Sequence, residues 1–513
     1  MVPAMLETSL IWVTLGGFAL SVLIEMLLVP RPALRRPMAS WLLHGGAWCF
    51  ALGVLYLLTG RGLFSEINVL AVWLLIVLVS NSKFHSLREP FVCADFEYFS
   101  DAVRFPRLYL PFFGVGKAIG LAVVFVAYLG AGLYFEPRDS DALIASVLLL
   151  VIGVALLAAG HHIKATPTFQ ASDDLRRWGL VACLWRYFVA ARKPVDRPAL
   201  GSPFNLPLPD VANDGLPDMV SVQSESFFDV RRLYSGVKPE VLGHFDQIRR
   251  EALAHGRLQV AAWGANTVRT EFSYLSGVAG EKLGVHRFNP YRLLARQGVP
   301  SIAAALKRQG YRTVCIHPYA GSFYGRDKVL PALGFDEFID VRAFSASENA
   351  GPFVGDCAVA AKIIQQLQDA PRTQPLFIHA ITMENHGPLH LEQVSDAELP
   401  AWFNSAPEGD LRDLGPYVRH IANADRMLGM LHKSLSDSAR TTSLCFFGDH
   451  VPILPDVYNA LGAPDGDTEY FIWSNRAQAK RGSQSLAVDK LAYTFIKLSQ
   501  SAAEIPARQV RRA

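Results

Sequence analysis

Hydrophobic and polar positions follow two different patterns along the chain, and the change falls near residue 190. Before it lie five apolar runs, at residues 10–30, 41–59, 63–80, 118–135 and 142–160. A helix that crosses a bilayer needs about 20 mostly apolar residues. The runs therefore predict five spanning helices. A secretory leader would show one apolar core followed by a small-residue cleavage site; five runs in series predict a multi-span anchor instead. The stretch 178–191 is apolar and aromatic, but it is short and carries Arg186. It reads as an amphipathic helix lying in the membrane interface.

Past this point prolines crowd together at 194, 198, 203, 207, 209 and 217, too densely for a long helix. The segment reads as a semi-rigid linker. Short apolar runs at 219–223, 258–262, 312–316, 376–382 and 443–447 then read as strands. They alternate with helical stretches at 238–254, 301–309, 354–368 and 417–435. Strand and helix in alternation predict a mostly parallel sheet with helices on both faces. The expected organisation is a transmembrane domain over 1–162 and an interfacial helix with linker over 163–216. An α/β domain follows over 217–500, and a basic tail over 501–513.

Composition narrows the function. Of 513 residues, 51% are hydrophobic and 19% charged, which excludes a disordered chain. A net charge of +3 offers no strongly basic face, so a nucleic-acid partner is not expected. Six cysteines make neither a disulfide scaffold nor a CxxC zinc site. Cys315 and Cys445 fall inside apolar strands and read as buried free thiols. The loop charges carry a topology of their own. Arg31, Arg35 and Arg36 follow the first run, and Lys83, Arg88, Arg104 and Arg107 the third. By the positive-inside rule these loops are cytoplasmic, and with five spans so is the C-terminal domain.

In doubly wound sheets ligands bind beyond the C-terminal strand ends. Here the predicted strands run into Ser224-Glu225-Ser226, Gly264-Ala265-Asn266-Thr267, His317-Pro318, Glu384-Asn385-His386-Gly387 and Gly448-Asp449-His450. Glu225, Asp449 and His450 offer two carboxylates and an imidazole, a set that suits manganese, magnesium or zinc. Thr267 adds a hydroxyl oxygen at a predicted helix start, where free N–H groups favour an anion. A metal beside that hydroxyl would lower its pKa and neutralise phosphate oxygens. The pieces describe a metal-assisted phosphoryl or sulfuryl transferase.

The order Glu225, Thr267 with Glu271-Phe272, Ser322-Phe323-Tyr324-Gly325-Arg326-Asp327, Asn385-His386 and Gly448-Asp449-His450, behind five spans, resembles the lipoteichoic acid synthase and phosphoglycerol transferase family. That family belongs to the alkaline phosphatase/sulfatase superfamily. The resemblance implies a multi-span helical membrane domain followed by an alkaline-phosphatase/sulfatase-like α/β domain with a mostly parallel central sheet. It implies one divalent metal, manganese before magnesium or zinc, on Glu225, Thr267, Asp449 and His450, with Thr267 as nucleophile. It implies Arg326 as a phosphate grip, Tyr324 in place of the usual tryptophan beside the headgroup, and His386 as a substrate-contacting histidine that moves protons. His317 is expected near the same pocket. The implied donor is phosphatidylglycerol and the implied acceptor an envelope glycan or lipid. The catalytic domain is then extracytoplasmic, on a multi-pass inner-membrane protein, against the topology of the loop charges.

Three rivals share the superfamily. A sulfatase needs a cysteine or serine within a Cys/Ser-x-Pro-x-Arg motif, where this chain has Thr267-Val268-Arg269-Thr270. A phosphoethanolamine transferase usually carries several disulfides, and this domain has only Cys315, Cys357 and Cys445. A phosphodiesterase would use water as acceptor. A scaffold without catalysis would have lost the nucleophile or a ligand, and none is lost. The polar loop 83–114 reads as a solvated loop or as a lipid-headgroup surface.

Overall fold

The computed structural model describes residues 2–96, 115–209, 216–369, 372–476 and 482–510. It divides into two compact units, residues 1–194 and 195–513.

The first unit is helical. Helices α1 (Val2–Glu25), α2 (Met38–Thr59), α3 (Gly62–Leu87), α4 (Val115–Phe135) and α5 (Ala142–His162) fall on the five apolar runs, with α1 ending at Glu25, before the end of the first run at residue 30. Among the described residues, three helices, α2, α3 and α5, are long and apolar enough to cross a membrane. Glycines let α2 and α5 approach closely. A Cβ added at Gly46 would stand 2.7 Å from the backbone nitrogen of Leu157, and one at Gly153 would stand 2.7 Å from that of Phe50. Small residues at such contacts are a common way to pack helices within lipid.

The helix expected over 178–191 is present over 180–191, and a second helix precedes it. Trp178 closes α6 (Ala171–Trp178), and α7 (Leu180–Ala191) starts after Gly179, whose φ of 77° a side chain would oppose. The start of α7 is held from afar. The buried Glu25 carboxylate, at the end of α1, accepts from the backbone N–H of Leu180 and pairs with Arg36. Four residues of the polar loop expectation, Glu97, Asp101, Arg104 and Arg107, lie outside the described residues.

The second unit is built on one sheet of eight strands, which lie side by side in the order β10 (Leu486–Ala487), β2 (Ala254–Gln259), β9 (Thr468–Ser474), β8 (Thr442–Gly448), β1 (Asp218–Ser224), β7 (Leu376–Ile381), β3 (Arg312–Ile316) and β4 (Glu337–Ile339). In chain order its elements are β1 (Asp218–Ser224), α8 (Gly243–Glu251), β2 (Ala254–Gln259), α9 (Thr267–Ser276), α10 (Ile302–Arg308), β3 (Arg312–Ile316), α11 (Arg326–Ala332) and β4 (Glu337–Ile339). A small hairpin of β5 (Asn349–Ala350) and β6 (Phe353–Val354) follows, then α12 (Asp356–Gln368), β7 (Leu376–Ile381), α13 (Leu414–Ser436) and β8 (Thr442–Gly448). The unit closes with α14 (Pro455–Leu461), β9 (Thr468–Ser474), β10 (Leu486–Ala487) and α15 (Val488–Val510). Only β9 runs against the others. The expected mostly parallel sheet is present.

Alternate residues of the central strands feed two cores. Met219, Phe377, Cys445 and Phe447 pack on one face, and Val220, Val222, Ile378, Leu444 and Phe446 on the other. Each large apolar side chain so buried contributes about 1.5–3 kcal/mol. Cys315 and Cys445 are buried free thiols, as expected. One strand differs from the sequence reading. β2 occupies 254–259, where 258–262 was expected, because His255 and Arg257 pair with Phe471 and Glu469 of β9 despite their polarity. Ladder pairing outweighs apolarity there.

Candidate active site

The site forms where β1 and β8 end side by side, with Ser224 opposite Gly448. Gly448 makes the approach possible: a Cβ there would sit 1.8 Å from the carbonyl oxygen of Phe227. The residues that follow each strand, Glu225 and Asp449, therefore emerge next to one another. The Ser226 N–H donates to Asp449 Oδ1 at 2.8 Å, and the Ser226 hydroxyl donates to Glu225 Oε1 at 2.9 Å.

His450 is turned by its own chain. Its Nδ1 donates to the Val451 carbonyl at 3.0 Å, which turns Nε2 toward the two carboxylates. That Nε2 faces Glu225 Oε1 at 3.5 Å and Asp449 Oδ2 at 3.6 Å. Among the described residues, the buried Asp449 Oδ2 has no hydrogen-bond partner. Burial, with the Glu225 charge beside it, pushes the Asp449 carboxyl up to about 7. One ligand atom from each of Glu225, Asp449 and His450 falls within 4.8 Å of the others. Two crowded buried carboxylates, an orphaned oxygen and a bare imidazole nitrogen fit a divalent cation.

Thr267 completes the group. It is the first residue of α9, after Asn266 at φ 65°. Its Oγ1 stands 3.5 Å from Glu225 Oε2 and 3.5 Å from His450 Nε2. Thr270, one turn on, fixes the helix by donating to the Asp449 carbonyl at 2.8 Å. The sequence-predicted ligands Glu225, Thr267, Asp449 and His450 are thus brought together.

Arg326, Tyr324 and His317 form a second group. Arg326 is almost wholly buried, and its fork is engaged: Nε reaches Glu271 Oε1 at 3.2 Å and Nη2 reaches Oε2 at 2.7 Å. Its Nη1 donates to His317 Nε2 at 3.1 Å. The guanidinium expected to grip phosphate is therefore committed to Glu271 along one edge. Burial alone would raise the Glu271 carboxyl, but the Arg326 charge and the Arg326 and Tyr291 hydrogen bonds hold it below the ordinary range. Burial and the Arg326 charge push His317 well below the ordinary histidine range, so the ring is neutral. Its Nδ1 proton goes to the Ile381 carbonyl at 3.2 Å. Tyr324 has φ 55°, with the Arg326 guanidinium carbon 5.3 Å from its ring centroid.

His386 follows β7, half-buried, with Nδ1 2.8 Å from the Gly387 carbonyl and Phe353 edge-on at 5.4 Å between ring centroids. Its neighbour Asn385 donates to the carbonyls of Glu225 and Ser226 at 3.3 and 3.4 Å, which ties this loop to the first group. Glu271 stands in the sequence beside Phe272 with no role that its local pattern assigns. Its signal was its position four residues after Thr267, one turn along the same helix.

A family model described as Sulfatase matches residues 217–501. The chain belongs to the sulfatase family. The capsular polysaccharide biosynthesis protein RkpI of Rhizobium meliloti is 27% identical over 446 residues, covering 81% of this chain and 78% of that protein. Lipoteichoic acid synthase 1 of Bacillus subtilis is 27% identical over 158 residues, which is 30% of this chain and 23% of that protein. Among solved structures, the Streptococcus pyogenes phosphoglycerol transferase GacH in complex with sn-glycerol-1-phosphate aligns with a TM-score of 0.47 at 23% identity, over 57% of this chain and 78% of that one. The resemblance to lipoteichoic acid synthases read from the motifs is borne out, and the chain is an enzyme of the alkaline phosphatase/sulfatase superfamily.

Proposed function

We propose that this enzyme transfers glycerophosphate from phosphatidylglycerol to an envelope glycan or lipid through a covalent threonine intermediate. The observation that carries the reading is Thr267 Oγ1 at a helix start, 3.5 Å from both Glu225 and His450 and beside the orphaned oxygen of Asp449. Glu225, Thr267, Asp449 and His450 would hold one divalent cation, manganese before magnesium or zinc. When bound, that cation lowers the pKa of the threonine hydroxyl and neutralises phosphate oxygens.

Thr267 Oγ attacks the phosphorus of the donor as its hydroxyl proton passes to solvent. The bond from phosphorus to the diacylglycerol oxygen breaks, and His386 gives that oxygen its proton. Thr267 now carries the glycerophosphate as a phosphodiester. An acceptor hydroxyl then attacks the same phosphorus and His386 takes its proton; the bond from phosphorus to Thr267 Oγ breaks, and Thr267 regains a proton from solvent. The α9 start presents N–H groups to the anion. Neutral His317, held by Arg326, presents no charge to the glycerol side. Tyr324 lines that side, and Arg326 acts on phosphate through the Nη1 and Nη2 hydrogens that His317 and Glu271 leave free. The serine or cysteine of a sulfatase is absent at Thr267, which supports phosphoryl over sulfuryl transfer.

A lipid donor explains a membrane domain on the same chain, over 1–162, with 163–216 joining it to the catalytic domain of 217–500 and a tail of 501–513. The reaction needs no ATP, which suits an extracytoplasmic site on a five-span inner-membrane protein. The test is diacylglycerol release by the full chain with manganese, in micelles of phosphatidylglycerol or of phosphatidylethanolamine. Release from phosphatidylglycerol that Thr267→Ala abolishes supports the reading. Release from phosphatidylethanolamine alone makes the enzyme a phosphoethanolamine transferase. Release from neither overturns the lipid donor.

A further inference from the structure

Glu384, on the loop after β7, is 1% exposed, and nothing in the transfer chemistry uses it. Both of its oxygens are engaged. Oε2 accepts from the N–H of Asp356, the first residue of α12, at 2.7 Å. Oε1 faces Nδ1 of His420 on α13 at 3.0 Å and accepts from Asn423 one turn further along. The other nitrogen of His420 lies 3.0 Å from Glu392 Oε2, which Arg419 pairs from outside. The result is a ladder of alternating charge, Glu384, His420, Glu392 and Arg419, running from the protein's interior toward its surface.

Two further contacts show what the ladder holds. His386, two residues after Glu384, packs its ring against Phe353 of β6. Phe353 itself lies three residues before Asp356, the donor to Glu384. The loop is thus clamped by one segment, 353–356, at both Glu384 and His386. A well-packed apolar pair of similar volume would stabilise the fold as well as a buried ion ladder does, or better. What the ladder adds is a fixed direction and register for the loop it ends on.

We propose that Glu384 is a positioning residue for His386: the Glu384–His420 pair, anchored on α12 and α13, holds the 382–388 loop so that the His386 ring keeps its orientation for proton transfer. This rests on the proton-transfer role of His386 proposed above. Misorienting a proton donor slows chemistry without loosening the donor lipid.

The experiment is a double-mutant cycle on the manganese-loaded full chain in detergent micelles. The measured quantities are kcat and KM for diacylglycerol release from phosphatidylglycerol, with a melting curve and a manganese titration for each variant. Glu384→Gln should lower kcat by about tenfold or more and leave KM and manganese affinity within twofold. In a His386→Ala background the same substitution should change kcat by less than twofold, because the group it positions is gone. Where Glu384→Gln does not fold, His420→Gln cuts the same strut from α13 and carries the same test. An equal loss in both backgrounds, a tenfold weaker manganese affinity, or an unchanged kcat in a folded Glu384→Gln protein each overturns the proposal and leaves the role of His386 standing. An active enzyme after His386→Ala removes both.

Discussion

Arg326→Leu should destabilise the catalytic unit by an amount that depends on pH. The Glu271 side chain is 0% exposed and that of Arg326 2%, with two hydrogen bonds between them at 3.2 and 2.7 Å. Removing the guanidinium leaves the carboxylate, among the described residues, with the Tyr291 hydroxyl as its hydrogen-bond donor. Breaking a buried pair from one side costs about 3–5 kcal/mol. Proton uptake caps that penalty. Neutralising a glutamate of ordinary pKa costs about 4 kcal/mol at pH 7 and about 1 kcal/mol at pH 5. The sign follows from linkage. In the variant the folded-state pKa of Glu271 rises above its unfolded value, so the penalty is present above the unfolded pKa and is relieved as pH falls toward it. The double variant Glu271→Leu/Arg326→Leu buries no charge and should recover much of the loss at pH 7. The assay is urea unfolding of the full chain in detergent micelles. It is followed by thiol labelling of Cys315, which is fully buried and feels the charge of this pair. A double variant as unstable as the single one, or a deficit equal at pH 5 and pH 7, would refute the argument.

Three further outcomes are expected. Gly448→Ala places a Cβ 1.8 Å from the Phe227 carbonyl, so β1 and β8 must separate at their ends; manganese binding measured by calorimetry should weaken at least tenfold, and unchanged affinity would show the strand ends are not rigid. Asp449→Asn removes the charge at the orphaned oxygen and should also weaken manganese at least tenfold with the melting temperature preserved or raised, since it relieves carboxylate crowding. Burial opposes a charge on His420, but its bonds to Glu384 and Glu392 outweigh this and raise it to about 9. That pair's stabilisation is full below about pH 6.5 and is lost as pH rises through about 9, so wild type should lose about 3 kcal/mol over this window and His420→Gln should not.

How much of this was legible in the sequence depended on what held each part. The strands β1, β3, β7 and β8 lie within one residue of their expected bounds, because buried parallel strands read as continuous apolar runs. β2 was displaced because its partner chooses it by register, across His255 and Arg257. β9, Thr468–Ser474, was missed although it is wholly buried, and β4 and β10 are three and two residues long, too short to show a period. The metal-type cluster was legible because its residues end predicted strands or start a predicted helix. The partners that hold side chains in place were not. Glu271 meets Arg326 across 55 residues and Glu384 meets His420 across 36, separations that leave no local pattern. For the same reason the Glu25 carboxylate that holds the start of α7, 155 residues away, was invisible in a chain read run by run.

The proposed transfer turns on a covalent bond to Thr267. Its most direct test is intact-protein and peptide mass spectrometry of the full chain, quenched in acid after mixing with manganese and phosphatidylglycerol without acceptor. A glycerophosphate adduct is expected on the peptide that contains Thr267, absent in Thr267→Ala. Diacylglycerol release at the wild-type rate by the Thr267→Ala protein, or an adduct on another residue, would contradict it.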